Sequence, residues 1–253
     1  MATAWGGDPT EMPQWLVEVP LAHRGLHHLA EGVPENSLAA FRAAASAGVG
    51  AELDARLSAD GVAVVAHDMD LTAATGQHLK LSGVRVATLI RMELFGTTER
   101  LPTLEQALGV LVDVPVMVEV KNEGARSGPL EQAVADLLVR HPGPVTVASF
   151  NPRSVAWFAN NAPGVLRGQT GTTDAALPRV VRGAVRRFGL ADHGRPHYWS
   201  WNVDHLDDER IVAARQAGQP VYAWTVRTAA DLARARAGAD NIIFEVLNPA
   251  DLA

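Results

Sequence analysis

The sequence predicts an α/β fold, read as a single (β/α)8 or TIM barrel with a small insertion, on three observations. Short apolar runs alternate with helical patterns along nearly the whole chain. The 253 residues are close to the usual size of one such barrel and suffice for a substantial core. Polar residues able to do chemistry gather at the far ends of the apolar runs. Alternation alone indicates a parallel sheet with helices outside it, closed into a barrel or open and doubly wound. The strand count favours closure.

The runs that read as strands are 17–23, 51–56, 62–67, 114–121, 145–150, 165–170, 198–202, 221–226 and 241–245. Helical patterns cover 36–47, 103–111, 130–140, 152–160, 207–217 and 229–237. Asn36, Thr103 and Asp207 stand where N-caps belong, and Gly48, Gly218 and Gly238 where helices stop. Nine runs are one too many for eight strands. Ser58-Ala59-Asp60-Gly61 is a turn with no room for a crossover helix, so 51–67 reads as a hairpin about Asp60 whose first limb is the barrel strand. Residues 1–15 then form an N-terminal extension, 16–253 the barrel domain, and about 69–101 the insertion.

Composition narrows the function. Hydrophobic residues at 47% and charged residues at 20% are ordinary for a globular domain. A formal net charge of −6 argues against a nucleic-acid partner. The chain has no cysteine, which removes disulfides, thiolate metal sites and cysteine nucleophiles. The first fifteen residues lack a basic start followed by an apolar run, and 110–118 is too short to span a bilayer. The expectation is a soluble, cytoplasmic protein without stable membrane association. Oligomeric state has no sequence signal.

Four runs end in groups that a barrel would bring to one rim: His23-Arg24-Gly25, Glu52-Leu53-Asp54, His67-Asp68 and Glu119-Val120-Lys121. Glu52 and Asp54, two apart on a strand, point to one side, and Glu119 arrives from a neighbouring strand. Three carboxylates in one small volume need protons or a cation, and all-oxygen ligation favours Mg²⁺ or Ca²⁺ over zinc. Spacing alone leaves open a second arrangement, in which these acids form structural ion pairs with Arg24, Arg56 or Lys121. A hairpin turning about Asp60 sets His67 beside Leu53 or Asp54, and His23 reaches the same rim. Two histidines flanking a phosphate suit acid–base catalysis, while Arg24 and Lys121 suit phosphoryl oxygens.

These blocks, with Pro34-Glu35-Asn36-Ser37, Asp60-Gly61, Pro102-Thr103-Leu104-Glu105, Ser149-Phe150 and Trp224-Thr225-Val226 in order, resemble the glycerophosphodiester phosphodiesterase family. The likeness runs from about Leu21 to Pro249. It implies a β/α barrel like that of phosphatidylinositol phosphodiesterases, with one divalent cation on Glu52, Asp54 and Glu119. It also implies His23 and His67 as the acid–base pair, Arg24 and Lys121 at the phosphate, and a small-molecule phosphodiester as substrate.

The sequence departs from the family pattern at Ala73, within a stretch that usually carries an arginine, at Arg227, where asparagine is usual, and at Glu245, where aspartate is common. All three lie around the rim and bear on the substrate. Two rival readings stand beside glycerophosphodiester hydrolysis: a lysophospholipase D-like enzyme, and a barrel that binds phosphate and metal without turnover.

Weaker candidates complete the list. Trp199, Trp201 and Trp224 read as core residues, with Trp224 the best placed to touch the leaving alcohol. His27 and His28 read as solvated loop residues, Asn202 and Asp204 as possible substrate contacts, and Arg179, Arg182, Arg186 and Arg187 as one face of a solvated helix.

Overall fold

A computed structural model describes residues 12–124, 127–172 and 194–252, and the arginine face at 179–187 lies outside them. The strands are β1 (Leu21–Ala22), β2 (Gly50–Leu57), β3 (Ala63–Val65), β4 (Val116–Val120), β5 (Val145–Ser149), β6 (Leu166–Gly171), β7 (Tyr198–Asn202), β8 (Val221–Val226) and β9 (Asn241–Phe244). Parallel pairing runs β1-β2-β4-β5-β6-β7-β8-β9 and closes through β9 onto β1. The barrel therefore has eight strands.

The ninth strand, β3, folds back antiparallel on β2, pairing Ala55 with Val65 and Leu57 with Ala63. This is the predicted hairpin about Asp60. The Asp60 carboxylate accepts from the Ser58 hydroxyl and from the backbone N–H of Val86, so the turn is tied to the insertion.

The described helices are α1 (Trp15–Glu18), α2 (Leu38–Ser46), α3 (Thr72–Thr75), α4 (Val86–Leu89), α5 (Leu104–Val110), α6 (Pro129–Leu138), α7 (Pro152–Asn161), α8 (Glu209–Gln216) and α9 (Ala229–Gly238). Thr103 caps α5 in a reciprocal box with Gln106.

Four local expectations need correction. The first apolar run, 17–23, is not one strand: residues 15–18 form the helical turn α1 between Pro13 and Pro20, and only Leu21–Ala22 pair. The run 62–67 pairs only over Ala63–Val65. Ser37, not Asn36, caps α2 by accepting from the Ala40 N–H, because the Asn36 side chain is drawn inward. Asp208, not Asp207, caps α8.

Strand periodicity sorts the side chains. Leu53, Val118, Val120, Trp199 and Trp201 pack outward into the core beneath the helices. Leu21, Met117, Ala148, Tyr198, Tyr222 and Ile243 fill the barrel interior, where Leu16 of α1 joins them from the N-terminal end. Gly168 on β6 makes room there: a Cβ on it would stand 2.1 Å from the Tyr198 ring. The insertion has its own small core of Leu71, Leu81, Leu89, Met92, Leu94 and Leu101 packed on Val64 and Ala66. Glu99 anchors it further by accepting from the Ala39 N–H at the start of α2. Among the described residues no helix is long and apolar enough to cross a membrane.

Candidate active site

With the lower barrel filled by apolar rings, the upper barrel carries charge. Glu52 and Asp54 follow each other inward along β2, and register sets Asp54 beside Glu119 of β4. Glu52, Asp54 and Glu119 each bring an oxygen within 4.8 Å of the others, and the first two are almost wholly buried.

The alternative arrangement, ion pairing, is also present, but only for two of the acids. Lys121 Nζ lies 3.0 Å from Asp54 Oδ1 and 2.7 Å from Glu119 Oε1, and Arg24 Nε lies 3.4 Å from Asp54 Oδ2. Among the described residues Glu52 accepts only from the Arg24 backbone N–H, at 3.1 Å. Arg56 turns away to Glu123, at 2.7 Å.

The electrostatic consequence divides the cluster. Burial, then repulsion from Asp54 and Glu119, pushes the Glu52 carboxyl well above the usual range. Burial works against the Asp54 charge too, but Lys121 and Arg24 outweigh it and hold that carboxylate low. The same attraction to Glu119 and Asp54 overcomes burial at Lys121 and raises its ammonium. Negative charge thus exceeds its compensation at Glu52. A hard divalent cation fits such a set, because oxygens this close can be bridged at the 2.0–2.6 Å ligand distances of Mg²⁺ or Ca²⁺.

The loop after β1 needs an unusual backbone. Arg24 and Gly25 have φ of 56° and 81°. A Cβ at Gly25 would come within 2.9 Å of both Ala40 and Phe41 of α2, so only glycine lets the loop pack there. Arg24 then extends its guanidinium to Glu35, 2.7 Å away. Asn36, buried and also at positive φ (55°), donates to Asp54 Oδ2 at 2.8 Å and orients that carboxylate.

Both histidines face the acid cluster, and each has a carboxylate on Nδ1. His23 Nδ1 lies 3.0 Å from Glu245 Oε2, and His67 Nδ1 lies 2.8 Å from Asp68 Oδ1. The hydrogen bond from His23 pulls Glu245 down to about 2 despite partial burial, and Arg227 Nη2 adds to it from 2.9 Å. Burial lowers His67. A carboxylate on Nδ1 leaves Nε2 as the nitrogen that turns toward a reactant.

Two lobes open from this centre. The first, about 280 Å³, is lined by His23, Arg24, Glu52, Ser200, Thr225 and Arg227 among others. The second, about 350 Å³, extends past Arg56, Asp68, Asn151 and Thr172. They share His67, Glu119, Lys121, Phe150, Asn202 and Trp224. Trp224 stands edge-on to Phe150 at 5.5 Å. A larger hollow of about 700 Å³ lies outside the barrel between α8 and α9, and no catalytic set meets there.

All eight residues singled out from sequence (His23, Arg24, Glu52, Asp54, His67, Glu119, Lys121 and Trp224) line these lobes or, for Asp54, support them. Asn202 and Asp204 reach the first lobe as well. His28 is exposed as expected, but His27 is not a solvated loop residue. It is largely covered, lies 3.7 Å from Glu245, and is lowered by burial. Glu245 and Arg227, noted in the sequence only as departures, touch each other, and Glu245 also holds His23. The alternation Asn241, Ile243, Glu245 along one face of β9 was the signal that could have placed the acid inside.

The model of the glycerophosphoryl diester phosphodiesterase family matches residues 23–247. A glycerophosphodiester phosphodiesterase of Caldanaerobacter subterraneus subsp. tengcongensis is 26% identical over 237 residues, covering 89% of this chain and 93% of that protein. A probable glycerophosphodiester phosphodiesterase 2 of Mycobacterium tuberculosis is 36% identical over 126 residues, covering 47% of this chain and 45% of its own. Among solved structures, an Oleispira antarctica phosphodiesterase in complex with the product sn-glycerol-3-phosphate superimposes with a TM-score of 0.71 at 22% identity, covering 90% of this chain and 93% of that one.

Proposed function

The chain belongs to the glycerophosphoryl diester phosphodiesterase family, and on that premise we propose that it hydrolyses a small glycerophosphodiester to glycerol 3-phosphate and an alcohol, with a divalent cation and two histidines. The observation that carries this reading is the meeting of Glu52, Asp54 and Glu119 in one mouth with two histidines, each held at Nδ1 by its own carboxylate. Glu52, Asp54 and Glu119 would hold Mg²⁺ or Ca²⁺, which supplies positive charge to a phosphoryl oxygen and acidity to a glycerol hydroxyl.

The protein's own groups do the rest. The glycerol half sits in the first lobe, where His23 alone of the two histidines belongs to that lobe only. His23, with Nδ1 on Glu245, takes the proton of the hydroxyl next to the phosphoester as that oxygen attacks phosphorus. The P–O bond to the leaving alcohol breaks, and His67, which lines both lobes, gives that alcohol its proton. Water then opens the cyclic phosphodiester with the two roles reversed. Arg24 and Lys121 hold the phosphoryl oxygens by charge, and the aromatic edge of Trp224 borders the leaving group.

Substitution of the histidines tests this. Proton transfer by a placed group contributes about 10²–10⁴-fold, so His23→Ala and His67→Ala each lose on the order of that factor in kcat. The double variant loses less than the product of the single losses, because both act in one step. EDTA abolishes activity, and Mg²⁺ or Ca²⁺ restores it. Near-normal turnover of glycerophosphocholine by either folded single variant, or by the metal-free protein, overturns the mechanism.

A further inference from the structure

The second lobe contains an unfinished set of hydrogen bonds. Arg56 follows Asp54 by two residues on β2 and is only 3% exposed. Its Nε donates to the His67 backbone carbonyl at 2.7 Å, and its Nη2 to Glu123 at 2.7 Å. Its Nη1 is buried with no partner among the described residues. Two further buried atoms on residues of this lobe, Thr172 Oγ1 and Trp224 Nε1, likewise have no partner among the described residues. A buried polar group left unpaired is destabilising, and a charged one more so. All three belong to residues that line this lobe, where a ligand that reaches them would complete them.

From this we propose that the second lobe is the leaving-alcohol subsite, that Arg56 is its specificity-determining residue, and that the alcohol selected is a polyol. The inference rests on the phosphodiesterase reading and deepens it. Two of the three unpartnered groups can only donate, and the third is a hydroxyl, so the ligand must carry several oxygen acceptors. Phe150 and Trp224 offer apolar ring surface beside these donors, which suits the C–H faces of a polyol. A quaternary ammonium alcohol has no acceptor to spare after esterification. It would leave all three groups unpaired. A site built to hydrogen-bond a hydroxyl strongly rejects an analogue that lacks it.

The test uses the full-length protein with Mg²⁺ or Ca²⁺ and diesters that share the glycerol 3-phosphate half. The alcohols are inositol, glycerol, ethanolamine and choline, and released glycerol 3-phosphate is measured. The expected kcat/KM for the inositol and glycerol diesters exceeds that for the choline diester at least tenfold. Arg56→Lys and Thr172→Val each shrink that ratio at least threefold. A ratio is insensitive to general damage through the His67 carbonyl, and the wild-type ratio and Thr172→Val still decide if Arg56→Lys does not fold. Preference for the choline or ethanolamine diester, or a ratio unchanged in both variants, overturns the subsite while leaving the phosphodiesterase reading intact. Cleavage of none of the four diesters overturns that reading, and the subsite with it.

Discussion

At the scale of single residues, Glu52 carries an electrostatic cost. Buried and facing Asp54 and Glu119, it is held well above its ordinary range, whereas an unfolded chain would let it ionise near 4.3. For an acid raised on folding, stability is greatest below the unfolded value and falls as pH rises toward the folded one. Asp54 is shifted the other way, so its contribution is fully present above its unfolded value and stays constant from pH 5 to 8. Glu52 by itself therefore costs the metal-free protein stability between pH 5 and pH 8, while His27, His67, His141 and His197, all lowered by burial, act in the opposite direction. Glu52→Gln removes that loss: in EDTA its melting temperature should exceed wild type by more at pH 8 than at pH 5, while its turnover with added cation falls at least tenfold. Melting curves in EDTA at the two pH values check this. Equal melting temperatures at pH 8 would mean that the acid cluster is already neutralised by Lys121 and Arg24.

At the scale of elements, the strands must deliver these side chains to one mouth, and glycine makes part of that possible. Tyr198 is fully buried in the barrel and donates to the Val147 carbonyl at 2.8 Å across the interior. Its ring lies where a Cβ on Gly168 would be. Gly168→Ala should destabilise by about 1–3 kcal/mol, the usual cost of overpacking, seen as a lower denaturant midpoint with unchanged slope. The same elements show what a sequence discloses. Apolar runs bounded by turn residues disclosed all eight barrel strands, and the Asp60 hairpin disclosed the ninth, because strand periodicity and turn chemistry are local. Residues 17–19 misled, since Val-Glu-Val alternates like a strand, whereas 15–18 form a helical turn between Pro13 and Pro20 with Leu16 buried. The site residues at strand ends were legible for the same reason the strands were. Glu245 and Arg227 were not assigned roles and Arg56 only a tie to the acids, because His23 meets Glu245, Glu245 meets Arg227 and Glu123 meets Arg56 only when the barrel closes.

At the scale of the whole molecule, stability and chemistry occupy opposite ends of the barrel. The mouth holds buried charge and unpaired donors. The floor holds Leu16, which packs on the interior layer of Leu21, Met117, Tyr198, Tyr222 and Ile243. Asn241 ties that floor to the closing strand by donating to the carbonyls of Leu16, at 3.1 Å, and Val19, at 2.8 Å. Closure itself depends on β1, which has two residues to pair with both β2 and β9. The floor must therefore contribute what so short a strand cannot. Leu16→Ala should cost about 2–5 kcal/mol, the range for emptying a buried leucine site. For a chain of this size that lowers the melting temperature by roughly 4–20 °C. Well below the transition, kcat and the midpoint of cation activation should match wild type, since Leu16 lines neither lobe and its layer reaches them only through Met117, Ile243 and the Trp224 packed against it. Paired thermal melts and cation titrations at 20 °C decide the matter. A cation midpoint that shifts with the melting temperature would show that the floor, through Met117 and Ile243, sets the spacing of Glu52 and Glu119 above it.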